Sequence, residues 1–183
     1  MHDLGLVALE QGDFREARKQ LEAALALGRK SQSAAVIANA LTDLGFAVLG
    51  QGQYEEARAV FEESLRQCVE LGWKENIAYT LVGLAAVSTE TGDLERAARM
   101  LGQAEILGEE IHLRLVNYAA VTRERTDQEL HSRLGVSRFT ACRTEGGSMP
   151  LEEAVALAPS RRRLIRLPGV EVPPARIELA HAV

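Results

Sequence analysis

The side chains that could do chemistry are few, and their spacing does not suit it. Histidines stand at 2, 112, 131 and 181, and cysteines at 68 and 142. A protein zinc site draws ligands at short, fixed spacings, and none of these residues has such a neighbour. A reactive thiol needs a base partner, and the sequence shows none for Cys68 or Cys142. Carboxylates sit side by side at Glu55-Glu56, Glu62-Glu63, Glu109-Glu110 and Glu152-Glu153. Neighbours on a helix point about 100° apart, so such pairs cannot face one substrate and read as solvated surface. Gly28-Arg29-Lys30-Ser31 echoes a phosphate loop, but the first glycine is absent and no strand precedes it, so it reads as a connecting loop. Arg161–Arg163 with Arg166 could meet nucleic acid, yet no aromatic residue interleaves them, and a solvated tail is the plainer reading. The expectation is therefore no catalytic residue, no metal, no cofactor and no enzyme.

Composition points the same way. The chain has 183 residues, 46% hydrophobic but only 4% aromatic, with 15 Gly and 5 Pro. That suffices for one domain with a core and excludes collagen-like and Pro-rich classes. Two cysteines cannot build a disulfide framework, which fits a reduced compartment. No stretch approaches the roughly 18 apolar residues of a membrane span. Asp3, Glu10 and Asp13 replace the basic and apolar regions of a signal peptide, so a cytoplasmic location is expected, with no membrane partner. Charge is uneven: residues 1–110 carry 10 basic and 18 acidic side chains, and residues 111–183 carry 11 basic, all Arg, and 8 acidic. The shift suggests a boundary near residue 112.

A repeat organises the acidic part. Leu4-Gly5, Gly12, Asp13, Phe14, Ala17, Leu21 and Ala24 recur forty residues on as Leu44-Gly45, Gly52, Gln53, Tyr54, Ala57, Phe61 and Ser64. A further forty give Leu84-Ala85, Gly92, Asp93, Leu94, Ala97, Leu101 and Ala104. Apolar residues fall at helical spacing on either side of each glycine, so each unit is a helix hairpin reversed at Gly12, Gly52 or Gly92. Phe14, Tyr54 and Leu94 open the second helices, and Ala17, Ala57 and Ala97 are small where the paired helices cross. Helices are predicted at 2–11, 14–30, 33–50, 54–71, 75–91 and 94–110. One hairpin cannot bury its apolar stripe, but stacked hairpins can.

This pattern resembles the tetratricopeptide repeat, best through Leu41, Leu44, Gly45, Val48, Gly52, Tyr54, Ala57, Phe61 and Ser64. The resemblance implies an all-α, right-handed solenoid of about three hairpins over 1–112, closed by capping helices over 113–158. The unit is longer than the family's usual one, and the extra length is expected between hairpins, around Gly28–Ser33 and Gly72–Asn76. The first unit starts part-built, which suggests a piece of a longer array and self-association through an open N-terminal edge.

The last third differs. Leu115, Val116, Tyr118, Ala119, Val121, Leu130 and Leu134 suggest one or two amphipathic helices stopped by Gly135. A short helix is expected over 136–145, then another from Ser148 or Pro150. Phe139, Glu145-Gly146 and Leu151–Ala158 resemble the close of the repeat region in large bacterial ATP-dependent regulators of the LuxR type. Relatives of that kind carry an NTPase module before the repeats and a DNA-binding helix-turn-helix after them. Others carry a protein kinase or nucleotide cyclase, and a stand-alone scaffold is a further alternative. Residues 159–183 hold four of the five prolines and read as a disordered or loosely packed tail.

The tetratricopeptide resemblance also implies where a partner would dock. First helices line the concave side of such arrays, which places Leu6, Leu9, Asn39, Thr42, Phe46, Leu49, Tyr79, Val82 and Ala86 there, with His2 and Thr89. The Lys and Asn that clamp a peptide carboxylate in some relatives are missing, so an apolar peptide or helix is the expected ligand. The alternative is that the helices of 113–135 pack on this face themselves.

Overall fold

A computed structural model describes residues 1–115 and 117–158, and the expected tail at 159–183 lies outside them. The described residues form helices and connections only. Three hairpins come first: α1 (His2–Glu10) with α2 (Phe14–Lys30), α3 (Ala34–Gly50) with α4 (Tyr54–Leu71), and α5 (Lys74–Glu90) with α6 (Leu94–Glu110). Then follow α7 (Asn117–Leu134), α8 (Val136–Ser148) and α9 (Leu151–Ala156). The first six helices match the predicted spans to within a residue at each end.

The repeat is visible in the turns. Gly12, Gly52 and Gly92 have φ of 74°, 72° and 90°, the left-handed conformation that costs glycine least. The next amide closes each turn onto the preceding helix: Asp13 N to Ala8 O, Gln53 N to Val48 O, and Asp93 N to Ser88 O. A second set joins the hairpins. Gln32, Gly72 and His112, again forty apart, have φ of 55°, 67° and 54°. Ser33 N, Trp73 N and Leu113 N then return to the carbonyls of Gly28, Cys68 and Gly108. The first two of these caps close the connections between hairpins in three residues (31–33) and two (72–73), so the extra length of the unit lies in the helices. Asp13 and Ser33 finish the caps by accepting from Glu16 N and Val36 N.

Packing turns hairpins into an array. Ala17, Ala57 and Ala97 are completely buried. Phe61 is fully buried, and its ring fills two notches at once. A Cβ placed on Gly45 would sit 2.4 Å from that ring, and one on Gly83 of the next hairpin 2.2 Å. Phe46 meets Phe61 edge-on at 5.1 Å. Leu21 fills the matching notch at Gly5, and Phe14 reaches across to Gly50. A hydroxyl chain crosses the same interface: Thr42 Oγ1 to Ser64 Oγ at 2.8 Å and Ser64 Oγ to Thr80 Oγ1 at 3.2 Å. The first helices α1, α3 and α5 touch in sequence, while α2, α4 and α6 have at most glancing contact. The array therefore curves, with α1, α3 and α5 on its inner face.

The C-terminal helices take two different places. α7 is a single helix, stopped at Gly135, whose φ is 76°. It lies on the inner face, against α5 and α6 and touching α1. α8 packs on α6 along a seam of glycines. A Cβ on Gly102 would sit 2.0 Å from the Arg143 carbonyl, and one on Gly146 2.0 Å from that of Arg99. This is why α8 does not end at residue 145 as expected: Gly146 and Gly147 are needed inside it, where only glycine allows so close an approach. Phe139 and Cys142 are buried in the same layer. Arg143 clamps it, paired with Glu105 at 2.8 Å and Asp127 at 3.3 Å.

Candidate interaction groove

The inner face is where this architecture can receive another chain, and α7 already occupies part of it. Of the residues expected there, Leu9, Thr42, Phe46, Val82 and Ala86 are buried. Leu6, Asn39, Leu49 and Tyr79 keep partial exposure. Thr42 is spent on the hydroxyl chain with Ser64, and Asn39 accepts from Asn76 Nδ2 at 2.9 Å. Asn76 Nδ2 also reaches Thr42 Oγ1 at 3.3 Å, so through Asn76 both side chains stitch the second hairpin to the third.

Three polar anchors hold α7 on this face. The Tyr118 hydroxyl donates to Asp43 Oδ1, and the Tyr118 ring meets Phe46 at 5.0 Å. Asp43 is itself 7% exposed and takes a second hydrogen bond, from His2 Nε2 at 2.8 Å. Burial, then the Asp43 charge, push the Tyr118 phenol far above its ordinary range, so it stays a donor. The hydrogen bond to Asp43 raises His2 against the opposing effect of burial. Further along, Arg133 donates to the Thr89 carbonyl at 2.8 Å, and Arg125 pairs with Glu90 at 3.2 Å.

Between α7 and the hairpin turns a cavity of about 650 Å³ remains. It gathers Leu9, Phe46, Leu49, Ala86 and Thr89 from the expected set. Sequence reading missed its other walls: Phe14, Tyr54, Glu90 and, on α7, Tyr118, Arg125 and Glu129. Phe14 and Tyr54 had been legible only as helix openers. The α7 residues carry no signal of their own, because that helix buries only Ala119, Thr126 and Leu130 deeply and leaves Val121 66% exposed. Leu6, Asn39, Thr42 and Tyr79 do not line this cavity, and Val82 belongs to a second one near Arg123 and Asp127.

The groups weighed for chemistry sit elsewhere. Cys68 is buried and its thiol is raised by that burial, which keeps it protonated. Glu56 pairs with Arg18 at 2.6 Å, and Glu110 with Lys74. Among the described residues, no three His, Cys, Asp or Glu side chains come together as a metal site. Among those same residues, no helix is long and apolar enough to cross a membrane.

Two family profiles, each described as tetratricopeptide repeat, match residues 2–68 and 36–105. Residues 2–105 are therefore tetratricopeptide repeats. No curated protein and no solved structure matches it. The tetratricopeptide hairpin is a general protein-interaction unit, and in this chain its inner face is shared with α7.

Proposed function

We propose that this tetratricopeptide repeat protein is a non-catalytic interaction module of the cytoplasm whose inner face docks a segment of another protein. Docking there biases a neighbouring effector module, as in the repeat regions of signal-responsive bacterial regulators of the LuxR type. The observation that carries the reading is the state of the groove. α7 covers Phe46, Val82 and Ala86, yet Leu49 stays partly exposed beside a cavity of about 650 Å³ with aromatic walls. The regulator context rests on the resemblance of the closing run, Phe139, Glu145-Gly146 and Leu151–Ala158, to the end of the repeat region in such regulators. Self-association through the first hairpin is part of the proposal, because Leu4 and Val7 of α1 are 60% and 49% exposed.

A photo-crosslinker at Val121, on the cavity rim, should capture the docked partner in cells, whereas one at Glu70 on outer helix α4 should not. Equal capture from both positions, or none from Val121, would remove the groove from the reading. The context has its own check: a reading frame for an NTPase or a helix-turn-helix joined to this chain supports the regulator, and a kinase or cyclase frame overturns it.

A further inference from the structure

The cavity beside α7 has two kinds of lining. Its floor is aromatic and aliphatic, with Phe14, Phe46, Tyr54 and Leu49. Its polar wall sets Glu10, Glu90 and Glu129 against one cation, Arg125. Arg125 is loosely held: its side chain is 75% exposed, and it pairs with Glu90, 3.2 Å away and 25% exposed. Such an exposed pair adds little to stability and exchanges easily. Glu129 is held by Arg133 at 2.9 Å, so of these two Glu90 is the more open to exchange. The Glu90 charge, foremost among the causes, raises the Tyr54 phenol, which places that carboxylate beside the aromatic floor. Aromatic faces and carboxylates both attract cations, and here they line one space large enough for several side chains.

We propose that this cavity binds a short basic peptide segment. A Lys or Arg of the segment replaces Arg125 on Glu90, and its apolar neighbours lie on Phe14, Tyr54 and Leu49. The inference rests on the interaction reading above and names the chemistry of the partner. Charge complementarity selects this occupant: residues 1–110 carry 18 acidic and 10 basic side chains, and an acidic segment would face three carboxylates with Arg125 alone to receive it.

Two fluorescein-labelled heptapeptides, one alternating Leu with Arg and one alternating Leu with Glu, test it by anisotropy on the full chain. The Leu/Arg peptide should bind and the Leu/Glu peptide should not. Glu90→Gln should weaken binding about tenfold, the usual scale for losing a charge-assisted hydrogen bond. Arg125→Ala should tighten it several-fold, because the internal competitor is gone. Glu70→Gln, on the outer face, should change nothing, and circular dichroism on each variant confirms folding. If Glu70→Gln weakens binding as much as Glu90→Gln, the attraction is unspecific and the proposal falls. It falls equally if Arg125→Ala weakens binding or if neither peptide binds. Binding of the Leu/Glu peptide alone, lost in Arg125→Ala, would sink this proposal while leaving the interaction module standing.

Discussion

Tyr118 of α7 donates its hydroxyl to Asp43 of α3, 75 residues earlier in the chain. No pattern of spacing announces this contact, yet it fixes α7 to the inner face. Tyr118→Phe keeps the ring against Phe46 and removes the donor. The buried Asp43 then has His2 as its remaining partner in this cluster, and a loss of about 1–3 kcal/mol is expected. Hydrogen exchange should rise in α7 first, with α3 to α6 unchanged. Uniform acceleration across all helices would contradict α7 as a separately held element.

His2 gives this cluster a pH dependence of known sign. Its folded value lies above the ordinary 6.5, because Asp43 accepts its hydrogen bond, with Asp3 adding to the effect and the N-terminus opposing it. The charged pair therefore stabilises fully below pH about 6.5 and fades as pH climbs through the raised value. His2 is 30% exposed, so the effect is expected to stay below about 1 kcal/mol. Melting curves between about pH 5.5 and 9 should show wild type losing its advantage over His2→Ala as pH rises. A constant gap, or one that widens with pH, would show that the pair has been misread.

The glycine notches can be checked by rescue. Gly45→Ala and Gly83→Ala each drive a methyl into the Phe61 ring and should cost about 1–3 kcal/mol. Gly52→Ala meets nothing within 4 Å but sits at φ 72°, so its cost of about 1 kcal/mol is conformational. Phe61→Leu should therefore recover part of the Gly45→Ala loss and none of the Gly52→Ala loss. A double-mutant cycle in urea measures both.

Arg58 and Arg96 repeat a contact of the first two units with one sign reversed. Arg18 binds Glu56 at 2.6 Å and Gln53 at 2.7 Å. Forty residues on, Arg58 meets Arg96 where the carboxylate stood. Burial, then the Arg96 charge, lower Arg58, and its Nε and Nη1 have no partner. Arg58→Met should be neutral or stabilising by about 1 kcal/mol, whereas Arg18→Met should destabilise by a similar amount. Urea midpoints of the two variants should therefore move in opposite directions. Equal losses would mean that Arg58 is satisfied in solution.

The hairpins were readable because Gly12, Gly52 and Gly92 mark backbone that favours glycine, and because Ala17, Ala57 and Ala97 keep one size at one crossing. The joints between hairpins were only partly readable. Gly72 signals its left-handed turn, but Gln32 and His112 adopt the same turn with side chains that do not advertise it. The course of α8 was hidden because Gly146-Gly147 reads as a break until Gly102 is seen against it. The place of α7 stayed open for a different reason. Its deep contacts are few and small, so periodicity could not say which face would turn inward.

Because one phenyl ring fills notches in two hairpins, the middle of the stack has no plane along which to tear. Pulling the third unit from the second would empty the Gly83 notch and bare one side of the ring, while Gly45 of its own hairpin keeps the other wall. The first unit is held by other means, Phe14 reaching Gly50, Arg18 on Glu56 and His2 on Asp43, so each joint between hairpins has a key of its own.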